Sequence, residues 1–366
     1  MSSQGPQYCS KGVITIAGRE FVLSLPLTEQ PGSIKRVRVQ HEDGKSSRAE
    51  LLVRDVDNVT NQPFPIFNGM PSPSTNPTDP YEVTIGWEDG PQYSVFGGLF
   101  QAKKVNAFPH HTMLVGLHDS HKMKRVGEVK HATGISRTQF WNQLAAEYNL
   151  TIRLQPQLAG ESFMTDPIDW QSQGHPGEQS NWQVLKAECD RFGLIMCTPT
   201  QGIVDIREDK SDLPTFTLTW GVDRFIEFEC LDEVKRQKKS GKRLGHAEEH
   251  IKGLQSHHKT GTSQDGTQNL ETTPPHTPKK QSGNVAYKDP FRQSTMTRMA
   301  TRLGEVEGLA LRIGIPLRPD INNFHQLNLQ EAGAQLSGTW QLASCEHSIE
   351  HNADITRFTA WRKPGS

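Results

Sequence analysis

The chain has 366 residues, of which 34% are hydrophobic, and this is enough for two or three cores of ordinary domain size. The 40 lysines and arginines nearly balance 41 aspartates and glutamates, and a formal net charge of −1 does not favour nucleic acid as a partner. No run approaches the roughly 18 apolar residues that span a bilayer, and the N-terminus lacks the layout of a signal peptide. We therefore expect a protein made in a cytoplasm, without direct membrane insertion.

Residues 1–118 are predicted to form a first antiparallel β-barrel domain. Alternating apolar residues predict strands at Gly12–Ile16, Phe21–Leu25, Glu82–Trp87, Ser94–Phe100 and His111–Leu117. The Asp89-Gly90 step suits a tight hairpin turn, since glycine tolerates positive φ. Closing such strands into a barrel or sandwich removes exposed edges.

Residues 119–210 change to a helical period and are predicted to form a small α/β domain. Ser136-Arg-Thr-Gln139 and Ser180-Asn-Trp-Gln183 are two capping boxes, each followed by apolar residues at helical spacing. Gly193 is placed to end the second helix. Strands are predicted at Leu150–Leu154, Leu194–Cys197 and Ile203–Ile206, the last two as a hairpin.

A second, related β-barrel domain is predicted from residues 211–231 and 303–366. Its strands are predicted at Thr215–Trp220, Phe225–Cys230, Leu309–Ile313, Phe324–Leu329, Gly338–Ala343, Glu346–Ile349 and Ile355–Trp361. Residues 232–302 interrupt it with a polar stretch that has little to bury and ends in a short helix at Ser294–Leu303. We interpret this insertion as an arm. The fold class is therefore mainly β with an α+β insert.

The strongest pattern for catalysis is His246-Ala-Glu-Glu249-His250, which fits the inverted zinc-protease motif. On a helix its histidines would share one face and hold zinc, with the glutamate as base. The segment follows Lys235-Arg-Gln-Lys-Lys239 and has almost no apolar stripe, whereas a catalytic zinc needs a shaped, largely dry cavity. A zinc-dependent hydrolase using His246, Glu249 and His250 is kept as a minor alternative.

Other candidate chemistry is weaker still. The pairs His110-His111 and His257-His258 lie at loop-like positions, and His347 and His351 lie in or beside a predicted strand. The basic run from Lys235 to Arg243 would suit nucleic acid or an acidic partner, although a solvated arm is favoured. The five cysteines (Cys9, Cys189, Cys197, Cys230 and Cys345) are scattered and predict neither a disulfide framework nor a zinc ribbon. We assign no catalytic, metal or cofactor residue and expect a non-enzymatic protein.

Three passages together resemble the phage late-control protein D and contractile-tail baseplate hub family, which is related to the N-terminal hub region of VgrG spikes. They are the hairpin Val83–Trp87 with Val95–Phe100, the capped helix from Ser180 to Phe192 with Gly193, and the C-terminal run from Ile313 through Leu336–Leu342 to His347 and Thr356–Phe358. Residues 232–288 match no motif of that family. Nothing in the chain resembles a spike domain, so we expect the spike to be a separate protein.

The resemblance implies a homotrimer in which two related barrels per subunit alternate around a ring. Such a pseudo-six-fold ring would join a six-fold tail tube to a three-fold central spike. The implied partners are the spike, the tail tube protein and baseplate wedge proteins, and the implied place is the virion's tail baseplate, assembled in the host cytoplasm. The hub of a tailocin or of a phage-derived secretion or injection machine is the alternative, and a basic-armed nucleic-acid binder is a further one.

Overall fold

This structure, a computed structural model, describes residues 11–24, 34–54, 78–87, 90–106, 111–124, 132–170, 180–231, 310–350 and 353–362. Several predictions concern residues outside these ranges: the polar stretch with His246, Glu249 and His250, the short helix predicted at 294–303, and Cys9, His110, His257, His258 and His351. No helix in the described part of the chain is long and apolar enough to cross a membrane.

The described residues of the N-terminal part form seven strands. They are β1 (Lys11–Ile16), β2 (Arg19–Ser24), β3 (Ile34–Glu42), β4 (Arg48–Arg54), β5 (Pro80–Gly86), β6 (Gln92–Asn106) and β7 (His111–Leu117). Side chains alternate between the two faces of each strand: on β1, Ile14 and Ile16 are fully buried, whereas Val13 and Thr15, which alternate with them, are only half-buried.

The middle part is the predicted α/β unit with additional short elements. After a 3-10 helix (Asp119–Lys124) come β8 (Ala132–Ser136), α1 (Arg137–Ala146), β9 (Thr151–Leu154), α2 (Pro156–Ala159), α3 (Ser162–Thr165), β10 (Pro167–Trp170), α4 (Asn181–Arg191), β11 (Ile195–Cys197) and β12 (Ile203–Arg207). Both predicted capping boxes are present: Ser136 caps α1 with Gln139, and Ser180 caps α4 with Gln183. The predicted hairpin of β11 and β12 is confirmed, and β9 lies parallel to β12.

The C-terminal part supplies the remaining six strands. They are β13 (Thr215–Thr219), β14 (Glu227–Leu231), β15 (Ala310–Pro316), β16 (Gln326–Gln330), β17 (Gly338–Glu350) and β18 (Ala353–Trp361). The prediction of two strands at 338–343 and 346–349 is wrong, because β17 is continuous. A register shift between Leu342 and Ser344 takes the place of the predicted break.

Strands from both ends of the chain belong to one 13-stranded sheet. Its main path is β14-β15-β18-β17-β3-β4-β7-β6-β5-β1-β2, with β13 and β16 attached beside β17. The N- and C-terminal parts meet where β17 pairs with β3, with Cys345 opposite His41 and His347 opposite Val39. The mainly β fold with an α/β insert is confirmed. Two separate barrels stay a prediction, because the described strands of both parts share this sheet.

The described part of the chain forms three hydrophobic cores. The first contains Tyr81 and Phe100 of the N-terminal strands, and it also takes Leu317 and Ile349 from the C-terminal part. The second lies between Met123 and Ile206 in the α/β part. The third is built around Trp340 and Phe358. The bounds of the predicted domains stay a prediction.

Two local expectations need correction. The predicted hairpin of β5 and β6 is confirmed, with Gly86 opposite Gln92, but Gly90 does not have the positive φ that we expected for a tight turn, and Asp89 lies outside the described residues. His111, which we also grouped with the loop-like histidines, is the first residue of β7, in agreement with the strand predicted at His111–Leu117.

Candidate functional site at the junction of three cores

The turn between β3 and β4 touches the other two parts of the molecule. The Asp43 amide donates to the Ala343 carbonyl on β17 at 3.0 Å, and the Gly44 amide donates to the Met196 carbonyl on β11 at 2.6 Å. Gly44 has a φ of +71°, which glycine adopts without steric penalty. A Cβ on Gly44 would lie 3.2 Å from the Lys186 Nζ of α4, so the turn also lies against that helix. The turn is therefore inserted between the α/β part and the C-terminal part.

Lys210 is the central residue of this junction. It follows β12, and its side chain is fully buried. Its Nζ donates to both carboxylate oxygens of Asp43 at 2.9 Å, to the Asn323 carbonyl at 2.7 Å and to the Leu342 carbonyl. Asn323 in turn donates from Nδ2 to Asp43 Oδ1 at 2.9 Å. One ammonium group thus connects the α/β part with both β parts.

A buried charge is tolerated only when it is paired and hydrogen-bonded, and the junction meets that condition. Burial raises the pKa of the Asp43 carboxyl above its ordinary value, and the positive charge and hydrogen bonds of Lys210 offset only part of that rise. Cys197 adds a further hydrogen bond from Sγ to Asp43 Oδ1 at 3.2 Å. Burial keeps the pKa of the Cys197 thiol well above its ordinary value, so this cysteine is a neutral donor rather than a nucleophile.

Two buried histidines extend the junction on its other side. His41 on β3 contacts the Val95 carbonyl through Nε2 at 2.9 Å and the Ser47 hydroxyl through Nδ1 at 2.8 Å. Because a carbonyl only accepts, Nε2 carries the proton and Nδ1 accepts. Ser47 also contacts the Thr198 hydroxyl at 2.8 Å, which links β4 to the chain after β11. Burial lowers the pKa of His41 to about 4, so it is neutral at physiological pH.

His118, just after β7, repeats this arrangement. Its Nε2 donates to the Thr200 carbonyl at 2.7 Å, and its Nδ1 accepts from the Ser120 amide at 3.1 Å. Burial lowers the pKa of His118, and this histidine is neutral for the same reason. A cleft of about 290 Å³ lies between the two imidazoles, lined further by Glu82, Asn322, the β6 residues 94–97 and the loop residues 198–201.

The chemistry open to this cleft is limited by the hydrogen bonds around it. Both ring nitrogens of His41 and of His118 are already engaged, so neither can ligate a metal or take a proton from a substrate without breaking a bond to the protein. Within the described ranges, no group of three or more His, Cys, Asp or Glu side chains is arranged to hold a metal ion. The geometry supports a structural junction.

Ion pairs cross the seam between β17 and β3 on the opposite face of the sheet. Glu346 accepts from Arg38 and from Gln40, each at 2.7 Å, and lies 3.8 Å from Arg357. Arg357 also donates to Glu227 of β14 at 2.9 Å, and this hydrogen bond lowers the pKa of Glu227. These side chains are 20–40% exposed, so each pair contributes at most about 1 kcal/mol. Together these ion pairs nevertheless link side chains of four strands, β3, β17, β18 and β14.

His347 lies on the buried face of the same seam. Its Nδ1 is 3.0 Å from the Thr356 hydroxyl on β18, and its Nε2 is 3.9 Å from the Cys345 thiol. Burial, together with the nearby His41, lowers the pKa of His347 to about 3. His347, which the sequence analysis paired with His351, is therefore a neutral residue of the sheet.

The residues that form the junction were not singled out from the sequence. Asp43-Gly44 is a strong hairpin signal between two alternating runs, and it could have revealed the β3–β4 turn. Nothing local marks Lys210 as buried, because its partners Asp43 and Asn323 lie 167 and 113 residues away along the chain.

Comparison with known proteins gives similarity at the level of structure. No family profile matches the chain, and no curated protein matches it. A tail protein from Neisseria meningitidis MC58 is 11% identical with a TM-score of 0.58, over 97% of this chain and 96% of that one. The 43 kDa tail protein of prophage MuSo2 from Shewanella oneidensis is 10% identical with a TM-score of 0.61, over 96% and 98% of the two chains.

A third similar structure comes from a secretion machine. It is an E. coli component of the type VI secretion system, described as similar to the bacteriophage T4 tail proteins gp27 and gp5. It is 8% identical with a TM-score of 0.57, over 96% of this chain and 77% of that one. The resemblance to tail proteins and spike-related hubs that the sequence motifs indicated is therefore confirmed as a shared fold, present along nearly the whole chain.

Proposed function

We propose that this chain is a structural hub of a phage-type tail baseplate. The observation that carries the proposal is the fold shared end to end with two tail proteins, each covered over 96% or more of its length. The two related β domains that the sequence resemblance implies would suit a ring of three subunits with six similar positions, in which head-to-tail contacts close when each β domain turns about 60°. Such a ring would adapt a six-fold tail tube to a three-fold spike.

The junction gives this role a physical basis. A hub carries load between the tube and the spike, so the parts within one subunit must not shear. The fully buried Lys210 with Asp43, and the β17–β3 seam, connect the parts by buried polar bonds and by continuous strand pairing. We infer a non-enzymatic protein with the spike, tube and wedge proteins as partners, placed in the virion baseplate after assembly in the host cytoplasm. In this proposal 1–118 and 211–231 with 303–366 are the two ring domains, 119–210 decorates one end, and 232–302 is the arm.

A second candidate, the hub of a tailocin or phage-derived injection machine, uses the same geometry. It is favoured by the fold shared with the E. coli type VI secretion component. The partner that binds separates the two: a spike and tube from a phage tail, or their counterparts from a secretion machine.

The experiment is the mass of the purified protein by light scattering, alone and with the spike from the same gene cluster. We expect three times the 41.0 kDa of one chain, or a three-to-three complex that forms with the spike. A monomer that ignores the spike would refute the hub. Stoichiometric zinc in the same sample would favour the hydrolase with His246, Glu249 and His250 instead, and salt-sensitive DNA binding would favour the nucleic-acid binder.

A further inference from the structure

Among the described residues, hydrogen bonds attach the α/β part to the N-terminal β part in two regions. One is the turn between β3 and β4, with its buried pair of Asp43 and Lys210. The other is His118, whose Nε2 donates to the Thr200 carbonyl at 2.7 Å in the connection between β11 and β12. His118 directly follows β7 and precedes the 3-10 helix Asp119–Lys124, which leads into the α/β part. The second attachment therefore depends on one imidazole.

The groups around His118 select its neutral form. Because a carbonyl only accepts, Nε2 carries the proton, and because a backbone amide only donates, Nδ1 accepts from the Ser120 amide at 3.1 Å. A second proton on Nδ1 would point at that amide. The Ser120 hydroxyl, 3.0 Å from Nδ1 and donating to Ser46, can accept this proton. The amide of the fully buried Ser120 would still lose its acceptor, so a protonated His118 requires the turn to open.

His41, on the other side of the cleft, does not have this conflict. Its Nδ1 lies 2.8 Å from the Ser47 hydroxyl rather than from an amide. A hydroxyl both donates and accepts, and Ser47 Oγ also lies 3.1 Å from the Thr198 carbonyl, which can accept its proton. A proton on His41 Nδ1 therefore reverses that hydrogen bond and leaves no amide without an acceptor. Both histidines are buried, but their surroundings tolerate a proton differently.

We infer that His118 is an acid-sensitive latch between the α/β part and the N-terminal β part. Its protonation opens the turn Asp119–Lys124, moves the imidazole away from the Thr200 carbonyl and leaves the α/β part held at the turn between β3 and β4. Acid thus loosens one attachment and leaves the other as a pivot. The inference does not rest on the proposed hub.

The charged groups around His118 act on it in both directions. Asp119, in the same turn, favours the protonated form. The other ionisable groups of the surrounding elements are Glu82 on β5, His41 on β3, Lys45 in the turn between β3 and β4, and His121, Lys122 and Lys124 in the 3-10 helix. The lysines disfavour a further positive charge, as burial does. Residues 94–97 and 198–201, which line the cleft, carry no charged side chain.

The net effect sets the direction of the pH dependence. Burial lowers the pKa of His118 below its ordinary value of 6.5, although the hydrogen bond to Thr200 and the charge of Asp119 raise it. An opened latch exposes the imidazole to water, where its pKa returns to 6.5. The open form therefore takes up a proton before the closed form does. The latch is closed at neutral pH and weakens as the pH falls below 6.5.

Hydrogen exchange of the full chain at pH 7.5 and pH 5.5, corrected for the intrinsic exchange rates, tests the latch. The informative amides are those of Ser120, which donates to His118 Nδ1, and of His121, which donates to the His118 carbonyl. We expect their protection to fall by about tenfold between the two pH values, because the open form takes up one proton with a pKa of 6.5.

Two variants remove the proton without removing the same contact. H118N keeps an oxygen acceptor near the Ser120 amide, and H118Q keeps an amide donor toward the Thr200 carbonyl. Neither side chain titrates, so the pH dependence at the Ser120 amide should disappear in both. H41Q is the matched control, because it removes the other imidazole of the cleft and should leave that pH dependence unchanged. Circular dichroism shows whether each variant is folded.

The unaltered protein provides a second measurement that does not depend on any variant folding. Exchange of the histidine C2 hydrogen, followed by mass spectrometry, reports the protonation of each histidine. The fraction of protonated His118 should rise over the same pH range in which the Ser120 amide loses protection. Protection of that amide that does not change between pH 7.5 and 5.5 overturns the latch. A pH dependence that persists in H118N and H118Q, or that vanishes in H41Q, also overturns it.

Discussion

Replacing Lys210 by methionine tests whether the buried ammonium group holds the three parts together. The methionine fills most of the volume of the lysine stem but makes none of the four contacts of Nζ. Asp43 would then be left with no cation, and the carbonyls of Asn323 and Leu342 with no ammonium donor. Breaking one side of a buried pair costs about 3–5 kcal/mol, because the remaining charge is uncompensated.

This free-energy cost predicts a measurable increase in how often the junction opens. At 1.4 kcal/mol per tenfold, K210M should populate the separated junction about 10²–10⁴ times more often than the parent protein. Hydrogen exchange is the suitable assay, since unfolding of a protein with three cores need not be two-state. We expect the amides of Asp43 and Gly44, which donate across the junction, to lose protection by that factor. Amides within α1 should change far less.

The same turn supplies a matched control. Lys45 pairs with Glu42 at 2.5 Å, but these side chains are 48% and 40% exposed. K45M should therefore cost at most about 1 kcal/mol. The double variant K210M/D43N removes both charges and should be less damaged than the sum of its single changes. If K210M exchanges like K45M, the buried pair does not hold the junction and our reasoning about it is wrong.

Two further predictions concern the buried residues His41 and Gly116. Burial lowers the pKa of His41 to about 4, whereas the unfolded chain has the ordinary 6.5, so the unfolded state binds a proton first as the pH falls. Stability should therefore drop between pH 6.5 and 4, and His41 alone should account for about 2 kcal/mol of the loss at pH 5. His347, whose pKa burial lowers to about 3, acts in the same sense. Chemical denaturation at pH 7 and pH 5 should show a smaller drop for H41Q, which isolates this histidine from Asp354, whose pKa burial raises to about 6 and which acts in the opposite sense. In G116A the new Cβ would lie 2.5 Å from the Tyr81 ring, so the variant should lose about 1–3 kcal/mol, whereas G160A, where a Cβ meets nothing within 4 Å, should lose almost none. Equal stabilities for the two glycine variants would contradict this packing.

Local signals predicted the α/β part well because its elements are specified by neighbouring residues. A capping box such as Ser136 with Gln139 satisfies helix donors within one turn, and Gly193 ends α4 through its own φ of +63°. The strand β7 was likewise predicted with its observed bounds, because no cluster of Lys or Asp interrupts its apolar pattern. None of these elements depends on a distant partner for its existence.

The hairpin of β3 and β4 was missed because its exposed face carries the charges of the seam. Arg36 and Arg38 alternate with Val37 and Val39, and the arginines make the run look like a polar surface segment. The acidic partner of Arg38 is Glu346, more than 300 residues away. The sequence therefore predicted two separate β parts at the place where the structure joins them. Because β3 and β4 were missed, the junction residues in the turn between them were not predicted either.

The connection between the paired strands β14 and β15 explains how a long polar stretch is tolerated inside the C-terminal part. It comprises 78 residues, 232–309, yet closing a loop costs only in proportion to the logarithm of its length. Shortening it to about 10 residues should stabilise the protein by about 2 kcal/mol if the stretch is an arm that contributes nothing to the cores. Denaturation of such a deletion variant, with a Gly-Ser linker in place of the removed residues, measures this gain. A variant that fails to fold would show that residues 232–309 contribute to a core. A folded variant that no longer forms the ring or binds the spike would place the function of the arm in assembly.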